Sequence, residues 1–221
     1  MRSDSAVRTI AKVTAFVTRR APSGDGHELL VFRHPDAGIQ LPAGSVEPGE
    51  AFAAAALREV EEETGLRETH VVAHLGTRVS ELHDLKAFCE EARLRTGPSP
   101  DAALLATLPR GWWCRPLGQQ GDYCEVRYEE LDRNTRPEQV IVRFTGWVRS
   151  DLLAGRMERA YFHVRCTRPT PERWLQRAEG RFDFECHWLP LLPKPDIRSP
   201  QQAWIDEFHA ALVQGVAQHR L

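Results

Sequence analysis

Apolar and polar residues alternate along residues 7–18, VRTIAKVTAFVT, with Val13, Ala15 and Val17 on one face, which is the period of a strand. The turn-forming stretch APSGDGH (21–27) follows, and the more continuous apolar run ELLVFRH (28–34) predicts a second strand hairpinned to the first. Residues 34–38 form a loop, and IQLPAGSVEPGE leads in extended form to a segment of different periodicity. From Ala51 to Thr64 the residues are mostly good helix formers. Ala53, Ala56, Leu57 and Val60 make an apolar stripe there, on a different side from the glutamates, and Gly65 stands where a left-handed terminator belongs. THVVAHLGTR (69–78) predicts the next strand.

The pattern changes at Asp84. DLKAFCEEARLR predicts a helix, GPSPD breaks it, and DAALLATL (101–108) predicts a short second helix. Residues 109–139 mix strand-like and loop-like pieces in no fixed order. Period-2 alternation returns three times, through Val140, Val142, Phe144 and Val148, through Ala160, Phe162, Val164 and Cys166, and through Phe182, Phe184, Cys186 and Trp188. Ser199 followed by Pro200 opens a last helix, in which Trp204, Phe208 and Leu212 recur every four residues and should dock on the core. Interleaved strands and helices predict an α/β layered fold, and a chain of 221 residues is most simply one domain, here with an elaboration over roughly 84–139.

Charge and cysteine usage narrow the function classes. The formal net charge of −2 provides no global field for nucleic acid or membranes. Cys89, Cys114, Cys124, Cys166 and Cys186 are odd in number and include no CxxC pair, which fits reduced thiols better than a disulfide framework or a zinc site. No apolar stretch approaches membrane-spanning length and the N-terminus lacks a signal-like apolar core, so a soluble, cytoplasmic protein is expected.

The helix beginning near Ala51 carries the candidate chemistry. Glu59, Glu62 and Glu63 stand at i, i+3 and i+4, within an arc of about 100°. Like charges at that spacing weaken a helix unless a cation sits among them. Mg²⁺ suits the place, because it takes oxygen ligands from a few carboxylates together with substrate phosphates. A solvated acidic face is the ordinary alternative for such a run.

The surrounding residues decide between them. Gly44, five residues, Glu50, seven residues, Arg58-Glu59-Val60, one residue, Glu62-Glu63, one residue and Gly65-Leu66 follow in that order. This resembles the Nudix box at every defined position, and at average residue usage a chance match is on the order of one in a billion per starting point. The preceding Leu41 to Gly44, LPAG, resembles the family's usual approach to the box.

The resemblance implies an α/β/α sandwich around a mixed sheet, with the box as a loop–helix–loop that binds divalent cations, Mg²⁺ or Mn²⁺. It implies hydrolysis of a nucleoside diphosphate linked to another group. By box position, Glu59, Glu62 and Glu63 would be metal ligands together with the backbone carbonyl of Ala43. Glu50 and Arg58 would form a supporting ion pair, and Glu59 or Glu63 would stand near the attacking water. A homodimer is a further family expectation. Alternatives are an (oxidised) nucleoside triphosphate pyrophosphatase and a non-catalytic Nudix-fold nucleotide sensor.

Substrate markers are sparse. No proline stands about sixteen residues beyond the box, where ADP-ribose hydrolases would carry one, and the SQPWPFPxS array of NADH hydrolases is absent. LPAG leans towards sugar-linked nucleotides. Glu179, Asp183 and Glu185 are candidates for an additional ligand or base, and Arg33 and Glu185 for substrate contacts. His34, Tyr161, His163 and Arg165 are further candidates for phosphate contact. Trp112 and Trp113 could stack a nucleobase, although core packing is the usual use of tryptophan.

Overall fold

The computed structural model describes residues 7–132, 135, 137–178, 180, 182–197 and 199–218. In chain order its elements are β1 (Thr9–Arg20), β2 (His27–His34), β3 (Gly38–Gln40), β4 (Ala43–Ser45), α1 (Phe52–Thr64), β5 (Thr69–Glu81), β6 (Lys86–Phe88), β7 (Ala92–Arg95), β8 (Leu104–Leu108), β9 (Trp113–Gln120), β10 (Tyr123–Asp132), β11 (Gln139–Arg149), β12 (Leu153–Ala154), β13 (Arg156–Cys166), β14 (Arg173–Ala178), β15 (Phe182–Pro190) and α2 (Gln202–Gln218). The chain falls into two compact units, one of residues 12–77 with 160–221, the other of the described residues up to 11 with 78–159.

The first unit is built on a sheet in the order β14-β15-β2-β1-β13-β5, with β3 beside β2 and β4 beside β1. The hairpin expected at residues 21–27 is present, pairing Thr18 with Leu29 and Arg20 with His27 in antiparallel register. Period-2 alternation gives the sheet two apolar faces. On one, Phe32 lies opposite Cys186 and Leu30 opposite Trp188, and the Cys186 Sγ–H points at the Glu63 carbonyl at the end of α1. On the other, Phe16, Leu29, Val31 and Tyr161 pack with Ile205, Phe208, Leu212 and Val216 of α2. The two helices therefore cover opposite faces, and the expected α/β/α sandwich is found. The expected tail helix docks through Phe208, whose ring stands 5.8 Å from that of Phe16 and 4.7 Å from that of Tyr161.

The second unit has a sheet in the order β12-β6-β9-β10-β11-β7-β8. Here two expectations are corrected. Residues 84–95 and 101–108 are not helical: they contain β6, β7 and β8. Antiparallel pairing of Ala92 with Leu108 and Leu94 with Ala106 closes a hairpin over GPSPD, locked by the Thr96 N–H donating to the Ala103 carbonyl at 2.9 Å. Ala92 and Leu94 are buried while Arg93 is exposed. That two-residue period, rewarded by the core of Phe88, Leu94, Leu108, Val126 and Val148, overrides a weak preference for helix. Over 109–139, β9 and β10 form a second hairpin in which Gln120 pairs with Tyr123 across Gly121 and Asp122. Gly121 has φ 56°, a conformation that favours glycine. The alternating strand around residue 144 is β11, but Val140 and Phe144 remain 43% and 37% exposed.

All five cysteines are free and buried, and burial pushes the Cys114 and Cys186 thiols up to about 12. They should be inert. Among the described residues no helix is long and apolar enough to cross a membrane.

Replacing Phe16 by Ala should cost about 3–5 kcal/mol, because it opens a cavity between β1 and α2. Chemical denaturation measures it, and a loss below about 1 kcal/mol would show that α2 does not stabilise this face.

Candidate functional site

Short strand β4 is held between β1 and α1. It pairs with β1 so that Lys12 faces Ser45, Val13 faces Gly44 and Thr14 faces Ala43. Just upstream, the Pro42 carbonyl accepts from the Ala15 N–H at 2.8 Å and the Leu41 N–H donates to Gln201 Oε1 at 2.6 Å. After β4 the chain turns at Gly49, with φ 79°, and the Glu47 N–H donates to Glu50 Oε2 at 2.9 Å. Helix α1 then runs to Gly65, whose φ of 75° ends it in left-handed geometry with its N–H on the Glu61 carbonyl. Trp174 of β14 donates its indole N–H to the Thr64 carbonyl at 2.7 Å, which satisfies an orphan acceptor at the helix end.

Arg58 organises the acidic residues. Its Nε and Nη2 donate to the two oxygens of Glu50 at 2.9 and 3.0 Å, a bidentate pair. Nη1 donates to Glu59 Oε1 at 2.9 Å and to Glu62 Oε2 at 3.0 Å. Nη2 also reaches the Ser45 carbonyl at 2.9 Å, tying the loop to the helix. The Glu50 hydrogen bond, with the charges of Glu59 and Glu62, holds the guanidinium far above its ordinary pKa. Burial pushes the Glu59 carboxyl up, opposed by Arg58 and by Lys12. Glu63 is turned elsewhere, accepting the Ala43 N–H at 2.9 Å.

Gly44 explains itself. A Cβ there would stand 2.0 Å from the Glu59 carboxyl carbon, so only glycine lets that carboxylate lie against β4. The sequence expectation of separate packing and acidic faces is corrected at this point. The buried residues of α1 are Ala55, Ala56, Glu59, Val60 and Thr64, so Glu59 belongs to the packed face while Glu62 is exposed. Glu59 and Glu63 reach β4 at Gly44 and Ala43, Glu62 meets Arg58, and the three form no closed ligand set. Among the described residues, no group of three or more His, Cys, Asp or Glu side chains stands where it could hold a metal ion.

The remaining candidates lie elsewhere. Arg33 and Glu185 are cross-strand partners on β2 and β15, 3.9 Å apart, and Glu185 is also paired with Arg173 at 3.1 Å. Alternation puts them on the α2 side of the sheet, not with the box carboxylates. Asp183 pairs with Arg177 at 3.2 Å, and Glu179 lies outside the described residues. His34 packs on Phe182 and Phe184. Tyr161 is in the core, and His163 Nε2 meets Thr18 Oγ1 at 2.8 Å. Trp112 stacks on Tyr128 at 4.9 Å and Trp113 packs against the cluster around Leu82 and Ala87, so both tryptophans serve packing.

Residues 11–94 match the family described as NUDIX domain, a span that includes the whole box. That segment is similar to NUDIX domains. Over 42 residues the chain is 52% identical to the putative 8-oxo-dGTP diphosphatase YtkD of Bacillus subtilis, which is 19% of this chain. The chain spans about a quarter of the length of that relative, 27%. Among solved structures it is similar to an Ap4A hydrolase of C. elegans, with 13% identity, coverage of 93% of this chain and 98% of that one, and a TM-score of 0.43. It is also similar to the NUDIX domain of Shewanella oneidensis NrtR complexed with ADP ribose, with 11% identity, coverage of 97% and 90%, and a TM-score of 0.38.

Three residues around the box were not singled out as functional in the sequence. Lys12 is only 8% exposed and donates to Ser45 Oγ at 2.8 Å, bringing a buried cation to the electrostatic neighbourhood of Glu59. A lysine inside an otherwise apolar strand was the available signal, since lysine is rarely buried without a partner. Gln201 and Trp174 reach the box from 160 and 110 residues away in the chain, and no local pattern announces them. The donor set itself, carboxylate oxygens around a glycine-permitted close approach, suits a hard divalent cation.

Replacing Arg58 by Met should leave buried Glu59 without its principal partner. The expected cost is about 2–4 kcal/mol at neutral pH, reduced from a fully buried pair because Arg58 is partly exposed. Without Arg58, the folded-state pKa of Glu59 rises further above its unfolded value. Stability then falls as pH rises through the carboxylate range, so the deficit should shrink at low pH. Denaturation at two pH values checks this, and a pH-independent deficit would contradict it.

Proposed function

We propose that this protein is a metal-dependent hydrolase of the pyrophosphate linkage in a nucleoside diphosphate derivative. The observation that supports it most is the Arg58-centred acidic cluster on β4 and α1, in which Gly44 admits the Glu59 carboxylate against the strand. Glu59, Glu62 and Glu63, with the Ala43 carbonyl, would hold the divalent cation, of which Mg²⁺ is the expected species. When bound, the cation neutralises pyrophosphate charge that otherwise repels an attacking water.

The side chains do the rest. Glu59 or Glu63 would take the proton from that water. Arg58 and Glu50 fix the loop to the helix, so the carboxylates approach substrate from a rigid element. Opening the Arg58 contacts to Glu59 or Glu62 would release those oxygens for the cation. The favoured substrates are nucleotide sugars and ADP-ribose-like compounds, because LPAG precedes the box. A second reading, hydrolysis of oxidised nucleoside triphosphates, is favoured by the name of the B. subtilis relative over the 42 matched residues.

Phosphate release from a nucleotide panel, with and without Mg²⁺, tests the activity. Turnover should vanish in EDTA and should fall on the order of a hundredfold or more in Glu63→Gln. Undiminished turnover in Glu62→Gln and Glu63→Gln would overturn the site. Nucleotide binding without metal-dependent turnover across the panel would favour a sensor.

A further inference from the structure

A second feature lies at the opposite end of β1 from the box. An open cleft of about 560 Å³ is lined by Thr18, Arg19, Arg20, His27, Arg165 and Arg168, among others, and no acidic residue among those described lines it. The cleft lies wholly within the unit that carries α1 and α2. Lys12, beside β4, and Arg20 are eight residues apart on one strand, a separation of about 26 Å at strand rise.

Two of the arginines are neutralised locally. Arg19 is buried, donates to Glu28 Oε2 at 2.7 Å and to Thr170, and lies 4.4 Å from the Trp188 ring centroid. Arg168 is paired with Glu68. Arg20 and Arg165 differ. Arg20 donates only to the Gly24 carbonyl, at 3.4 Å, and neither has an acidic partner among the described residues.

Their placement makes that costly. Strands β1 and β13 are neighbours. Phe16 and Tyr161 meet around Phe208, and Thr18 meets His163 two residues further along both strands. The next positions on that face are Arg20 and Arg165, and both residues line the cleft. Like charges on neighbouring strands destabilise a sheet, and a concave site focuses their field. A dianionic phosphate would relieve the repulsion through the bidentate geometry arginine offers. The cleft has room for more than a phosphate ion, within the range of small-molecule sites, and the threonines and His27 add polar groups.

We propose that this cleft binds the terminal phosphate of a small phosphomonoester, independently of divalent metal. Calorimetric titration in EDTA with inorganic phosphate and with a nucleoside monophosphate provides the test. The expected result is saturable one-to-one binding of the monophosphate, tighter than of inorganic phosphate, weakened at least tenfold in the R20Q/R165Q double variant and unchanged in E63Q. Metal-dependent turnover of R20Q/R165Q should match the parent. Backbone amide NMR of the unmodified protein gives a reading that needs no variant, with monophosphate-induced shifts expected at Thr18, Arg20, Arg165 and Thr170. Shifts confined to residues 43–65, loss of binding in E63Q, or no saturable binding of either probe would overturn the proposal. If only inorganic phosphate binds, the phosphomonoester assignment fails.

Discussion

One guanidinium holds the acidic helix face together. Glu59, Glu62 and Glu63 at helical spacing, with Glu50 nearby, would repel one another and fray the last turns of α1. Arg58 sits among three of those carboxylates and also bonds the Ser45 carbonyl, so one side chain joins the loop, the strand and the helix. Lysine could not substitute for it, because its single ammonium lacks the planar fork that engages both oxygens of Glu50 while reaching Glu59. The Glu50 hydrogen bond, with the charges of Glu59 and Glu62, raises the Arg58 pKa, while burial against β4 raises that of Glu59 and Arg58 opposes it.

The rest of the first unit keeps that contact in place. β1 supplies the register that sets Gly44 under Glu59. Gln201, just before α2, grips the backbone at Leu41, and Trp174 closes the far end of α1. Thus β14 and the residue just before α2 each contribute a hydrogen bond at or beside the box, and the sheet is the rigid reference. A site built on strand and helix in this way loses little to motion when charge develops on a substrate. The same sheet carries, at its other end, Arg20 and Arg165, which line one cleft with no acidic partner among the described residues, so opposite ends of β1 adjoin opposite charge.

Much of this was legible in the sequence where local spacing and physical constraint coincide. The strands β1, β2, β13 and β15 were readable because helices cover both faces of their sheet, so apolar residues crowd these segments between turn-forming stretches. The box was readable because Gly44, Glu50, Arg58 and Gly65 each serve a backbone or charge constraint at a fixed separation. Residues 84–108 were not, since Leu, Ala, Glu and Arg favour helix locally while the hairpin through Leu94 and Leu108 is rewarded only by distant burial. The division of labour among the carboxylates was also hidden. Spacing puts Glu59, Glu62 and Glu63 on one face, but β4 decides that Glu59 is buried and Glu62 exposed. Lys12, Gln201 and Trp174 act across long stretches of chain, so no window of sequence contains both partners.

The carboxylates arranged around Arg58 are proposed to form a divalent-cation site. A crystal grown with Mn²⁺ tests it most directly through anomalous scattering. The expected result is a manganese peak coordinated by oxygens of Glu59, Glu62 and Glu63, with Arg58 withdrawn from at least one of the carboxylates it now holds. A saturated crystal with no peak at the box, and all Arg58 contacts intact, would contradict it.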